Sequence, residues 1–82
     1  MKRLRTEEVM AIARKHFRSH FDMTKLTDEE RSKLTQGYHV EADTAFCNFY
    51  IPARRYQDGK ILAEIRIDRN NGRILEHKSF EI

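Results

Sequence analysis

Apolar and polar positions alternate along Ile61-Leu62-Ala63-Glu64-Ile65-Arg66-Ile67-Asp68. Ile61, Ala63, Ile65 and Ile67 take every second place, and Glu64, Arg66 and Asp68 stand between them. A period of two predicts a strand with one buried face. The stretch is bounded by Asp58-Gly59 and Asn71-Gly72, dipeptides that tolerate the positive φ of tight hairpin turns. It is therefore expected to be the middle strand of an antiparallel meander.

From Thr6 to about Asp22 the period changes. Val9, Ile12, Ala13, Phe17 and Phe21 recur at three- and four-residue steps and form the apolar stripe of an amphipathic helix. Thr6 is placed to cap it, and Glu7 and Glu8 suit the positive end of the helix dipole. Arg14, Lys15 and Arg18 lie off the stripe; His16 and His20 fall at its edge. Thr27 and Glu30 have capping-box spacing, predicting a short helix over about 28–34, anchored by Leu26 and Leu34. Gly37 stands where a left-handed C-terminal residue is expected.

Three further segments read as strands. Tyr38 to Ala42 alternates weakly and is followed by a break at Asp43-Thr44. Ala45 to Tyr56 is rich in strand formers, with Pro52 marking an edge or bulge. Arg73 to the C-terminus places Ile74, Phe80 and Ile82 in one phase. Leu75 is out of that phase, and Glu76 and Lys78 share it, so a bulge or half-exposed face is expected. The predicted architecture is one α+β domain over residues 1–82. Its helices, at about 6–22 and 28–34, pack on a three- to four-stranded antiparallel meander.

Composition narrows the class. An 82-residue chain buries only about 60–65% of its unfolded surface, so its core is thin. With 39% hydrophobic and 35% charged residues it reads as a folded water-soluble chain. Its longest apolar runs fall far short of the roughly 18 residues that span a bilayer, so no membrane partner is expected. The basic N-terminus has no apolar region behind it, so a secretory signal is absent. A cytoplasmic location is expected unless a leader has been removed. The single cysteine, Cys47, fits a reducing compartment and reads as a small hydrophobe on a strand.

Charge singles out one region. Lys2, Arg3, Arg5, Arg14, Lys15 and Arg18 outweigh Glu7, Glu8 and Asp22, so the net charge of +3 belongs to the first helix and its leading arm. These six cations are the candidate nucleic-acid-binding residues, through phosphate contacts, with Phe46, Phe49, Tyr50 and Tyr56 as stacking groups. No RNP pattern accompanies them. The sheet gives the stronger candidate surface. One helix covers one face and leaves the other to Tyr50, Arg54, Tyr56, Leu62, Glu64, Arg66 and His77. Tyr and Arg are types favoured at protein interfaces, so Tyr50, Arg54, Tyr56, Arg66 and His77 are the candidate protein-binding residues.

Catalytic and metal motifs are weak. His16 and His20, four apart on a helix, have a geometry that binds zinc. No third ligand stands at a recognisable spacing, and Cys47, His39 or His77 would have to converge by folding. The pair is therefore expected to flank the core, without metal. No Gly-rich turn offers an oxyanion site to a Cys47–His pair, and Asp28, Glu29 and Glu30 suit the first turn of a helix. No catalytic residues and no cofactor are expected.

The element order resembles small cystatin-like α+β domains, in which one N-terminal helix crosses a curved antiparallel sheet. Glu7-Glu8-Val9-Met10-Ala11-Ile12-Ala13-Arg14 resembles the helix start of PepSY-type domains. The run from Ile65 through Asn71-Gly72-Arg73 to Leu75 is similar to their closing hairpin. Small NTF2-fold immunity proteins of bacterial toxin systems share both features, although they carry Gly-Gly where this chain has Asp58-Gly59-Lys60. The resemblance implies a non-catalytic module that binds another protein or occludes a partner's active site. It carries over no functional residues, because the matching positions are turn and core residues. The expected function is a small bacterial or phage protein-binding module of immunity or inhibitor type. Its sheet face would meet another protein or a second copy, forming a dimer. The alternative is a nucleic-acid-binding accessory protein that uses the basic helix.

Overall fold

A computed structural model of the chain describes residues 3–53 and 58–80. Helix α1 (Thr6–His20) is followed by a 3-10 turn (Met23–Lys25) and helix α2 (Asp28–Lys33). Strands β1 (Thr35–Val40), β2 (Thr44–Ile51), β3 (Lys60–Asp68) and β4 (Ile74–Ser79) complete the order. The strands form one antiparallel sheet in sequence order, β1-β2-β3-β4. The expected α+β meander is observed, with four strands.

Helix α1 starts one residue earlier in its capping than the sequence predicts. Arg5, not Thr6, is the N-cap, and its amide donates to Glu8 Oε1 at 3.0 Å. The helix ends before Phe21, whose backbone is extended (φ −116°, ψ 131°). Asp22 is diverted from the helix because its carboxylate accepts from the Thr24 amide at 2.9 Å and caps the 3-10 turn. The Thr27–Glu30 box forms as predicted: Glu30 N donates to Thr27 Oγ1 (3.1 Å), and Thr27 N to Glu30 Oε1 (3.0 Å). Gly37 is not a helix terminator. Leu34 turns the chain directly into β1, where Gly37 pairs with Asn48. A Cβ there would stand 2.3 Å from Asn48 Oδ1. Close cross-strand approach of the Asn48 side chain, not positive φ, is what favours glycine.

The two hairpins around β3 differ. At Asn71-Gly72 the tight turn forms as expected, with Gly72 at φ +76° and its amide bonded to the Asp68 carbonyl at 2.8 Å. Gly72 is the only described residue with positive φ. The other connection is no Asp58-Gly59 two-residue turn: Ile51 pairs with Lys60, so it runs over 52–59. Strand β2 stops at Ile51, before Pro52; residues 54–56 of the predicted strand lie outside the described residues.

The alternation predicted for β3 breaks at its start. Phe49 pairs with Ala63 but Tyr50 with Ile61, so Leu62 is an extra residue. Such a bulge reverses which face the side chains meet. Leu62 is buried at 1% exposure and Ile61 is 51% exposed, opposite to the expected phase. Ala63, Ile65 and Ile67 are buried as predicted. The expected irregularity in β4 is also found. Arg66 pairs with Glu76 and Ile67 with Ile74, leaving Leu75 unmatched and exposed.

One hydrophobic cluster holds the fold. Val9, Ala13 and Phe17 of α1 pack with Ala45, Cys47, Phe49 and Ile51 of β2 and with the buried residues of β3. The Phe17 ring stacks on Phe49 with centroids 4.2 Å apart and planes 5° apart, and on Phe21 at 4.9 Å. At the other end Arg69 ties three segments together. Its guanidinium donates to the carbonyls of Leu4, Glu41 and Ala42, while its backbone bonds Leu4 N and Asp43 O.

Candidate functional site

With α1 on one side, the sheet keeps a helix-free face. Strict alternation along β2 sends Ala45, Cys47, Phe49 and Ile51 inward and Thr44, Phe46, Asn48 and Tyr50 outward. On β3, Glu64 and Arg66 alternate with the buried positions, and the bulge adds Ile61 beside its register partner Tyr50. Strand β4 sets Lys78 opposite Glu64 and Glu76 opposite Arg66. The four charges make a two-by-two pattern in which each has an opposite charge across the strand pair, a stabilising cross-strand arrangement. Lys78 Nζ also reaches Glu76 Oε1 at 3.3 Å. With Phe46 they line a shallow hollow of about 220 Å³.

Of the predicted protein-binding residues, Tyr50 and Arg66 lie on this face. Arg54 and Tyr56 lie outside the described residues. His77 is placed differently from the expectation: it pairs with buried Ile65 and so faces the helix side. Leu62 is likewise absent from the free face. Of the candidate stacking groups Phe46 belongs to it, whereas Phe49 is buried in the core; Ile61 belongs to it against the expected phase. Phe46 follows from the alternation of β2, whereas Ile61 depends on a bulge that no local pattern announces.

A second cluster lies where α1 overhangs β4. His16 and His20 stack one turn apart with centroids 4.1 Å apart, and His77 meets them edge-on at 4.6 and 5.5 Å. His16 Nε2 is 2.9 Å from His77 Nδ1. His20 Nδ1 donates to the His16 carbonyl (2.8 Å), and His77 Nε2 meets Ser79 Oγ (3.0 Å). Burial, then the neighbouring His20 and His77, holds the His16 imidazole below its ordinary pKa; burial and then His20 do the same to His77. Three donor nitrogens, one per residue, lie within 4.8 Å of one another. The convergence joins residues 61 positions apart, so no sequence spacing could reveal it.

The basic residues are divided. Arg3 is paired with Asp43 through Nε and Nη2 at 3.1 and 3.0 Å, and Arg3 and Arg5 share a hollow with Glu7 and Glu8. Arg14 reaches Gln36 Oε1 at 3.4 Å and, with Arg18, lines a different hollow beside Arg31, which is paired with Asp28. Lys15 is exposed, and Lys2 lies outside the described residues. Cys47 is fully buried, which pushes its thiol pKa up; it is not poised as a nucleophile. No helix among the described residues is long and apolar enough to cross a membrane. Comparison with protein-family models, curated proteins and solved structures finds no match to this chain.

Proposed function

We propose that the chain is a non-catalytic protein-binding module that docks through the helix-free face of its sheet. One observation carries this reading: the bulge at Leu62 turns Ile61 into solvent beside Tyr50, at the end of a face that also presents Phe46 and Arg66. Bulges re-aim side chains near working sites; Ile61 adds an exposed apolar group beside Tyr50, and Tyr, Phe and Arg on one face are types enriched at interfaces. The patterned charges beside them would fix the register of a partner. An immunity- or inhibitor-type role is the concrete form, with the face laid over the partner's working surface. The nucleic-acid alternative has less support, because Arg3 is ion-paired and Arg5 lines one hollow while Arg14 and Arg18 line another.

The test is site-specific photo-cross-linking in the native cell, with a benzophenone side chain at position 61 or at position 11 on the exposed back of α1. Docking through the sheet gives a discrete adduct from position 61 and none from position 11. An adduct from position 11 alone, or none from either, refutes it.

A further inference from the structure

The three-histidine cluster goes beyond a docking module. We propose that His16, His20 and His77 form a binding site for a divalent transition metal ion of the zinc type, clamping the C-terminal half of α1 to the edge strand β4.

The donor set has suitable chemistry. Neutral imidazole is a preferred ligand for zinc and its neighbours, and two histidines four apart on one helical face hold such an ion from one side. Here the third comes from across the helix–sheet interface. Zinc–nitrogen bonds of about 2.0–2.1 Å in a tetrahedron put ligand nitrogens about 3.3 Å apart. The contact from His16 Nε2 to His77 Nδ1 is 2.9 Å, and all three donors fall within 4.8 Å. The widest separation, 4.8 Å, exceeds the tetrahedral spacing by about 1.5 Å, a gap that side-chain rotation of the exposed His20 can close.

The outer partners aim the rings. Metal-binding histidines usually donate their other N–H to a carbonyl or hydroxyl, which fixes the tautomer. His20 Nδ1 is engaged by the His16 carbonyl and leaves Nε2 with its lone pair free. His77 Nε2 is engaged by Ser79 Oγ, which leaves Nδ1 as the lone-pair nitrogen; without metal it is hydrogen-bonded to His16 Nε2 at 2.9 Å, a contact the ion would replace. His16 then presents Nε2 once its own proton sits on Nδ1, an exchange through solvent that needs no net proton release. Fourth in the tetrahedron would be a water, since His20 is exposed. An ion also accounts for why three imidazoles crowd together: side by side they oppose one another's protonation, whereas a shared cation is attracted to all three lone pairs.

Tag-free, chelator-treated full chain titrated with zinc chloride tests the site, using calorimetry for stoichiometry and long-range nitrogen-15 NMR for the imidazoles. The expected result is saturation at one ion per chain, with the His16, His20 and His77 ring signals moving and His39 unmoved. His20→Gln, an exposed substitution that spares the core, removes saturable binding. Ser79→Ala, which takes away the hydroxyl behind His77, weakens binding roughly ten- to hundred-fold. Unsaturable binding, one ion per two chains, equal movement of His39, or wild-type affinity in His20→Gln would each overturn the proposal. The NMR measurement on the unsubstituted chain decides the matter even where a variant fails to fold.

Discussion

The Phe17 ring lies flat on Phe49, with centroids 4.2 Å apart and planes 5° from parallel. That stack is where the helix meets the sheet, and both rings are almost wholly buried. Phe17→Ala removes a ring that the thin core cannot refill and is expected to cost about 3–5 kcal/mol. Folded domains hold roughly 0.05–0.15 kcal/mol per residue, so the loss consumes much of the total. Phe21→Ala, at a half-buried position, costs distinctly less. Urea unfolding followed by circular dichroism measures both.

Arg69 is the second anchor. Its fork donates to Leu4 O from Nε and Nη2 and to Ala42 O from Nη1, each at 3.2 Å. Hydrogen bonds from a charged donor contribute about 1.5–3 kcal/mol, so Arg69→Ala is expected to destabilise by that amount. Arg69→Lys does not restore it, because a single ammonium cannot span carbonyls on separate segments. The backbone amides of Leu4 and Arg69, bonded to Arg69 O and Asp43 O at 2.8 Å, exchange faster in both variants, as hydrogen exchange would show.

Acid should loosen the metal-free chain. His16 and His77 have folded pKa values below their ordinary ones, His16 through burial and the nearby His20 and His77, His77 through burial and His20. The unfolded chain, with imidazoles near about 6.5, therefore binds protons first. Stability is unaffected by these groups above that pH and falls as pH drops below it, until the folded form also takes up protons. In chelator, the midpoint of denaturation declines from about pH 6.5 downward. Replacing His16 and His77 together by Gln flattens that decline, and a slope unchanged in the double variant would contradict it.

Cys47 reports on global opening. It is fully buried and its thiol pKa is raised by that burial, so the thiolate that alkylating agents need is scarce and shielded. Iodoacetamide labelling in native buffer is expected to follow the population of the opened chain, and mass spectrometry would show labelling accelerate with urea in step with loss of structure.

Much of the fold is written in local patterns. The 3.6-residue stripe of Val9, Ala13 and Phe17, the Thr27–Glu30 box and the Asn71-Gly72 turn each rest on interactions between near neighbours in the chain. What could not be read depends on pairing. The extra residue at Leu62 reverses the face of Ile61, and nothing in the local alternation distinguishes a bulged strand from a regular one. Gly37 reads as a helix stop but serves a cross-strand contact with Asn48. His77 reads as part of the free face because only its register with Ile65 reveals its side. The histidine cluster was half visible, as two residues on one helix, and its third member arrives from the opposite end of the chain.

The face proposed for docking exists only if the bulge turns Ile61 out and Leu62 in, so thermal unfolding of Ile61→Asp and Leu62→Asp is the most direct measurement. A carboxylate at position 61 sits in water and should change stability by no more than about 1 kcal/mol. At position 62 it would be buried without a partner, and cooperative unfolding should be lost. The opposite order, with Leu62→Asp tolerated and Ile61→Asp unfolded, would contradict the bulge and the docking face together.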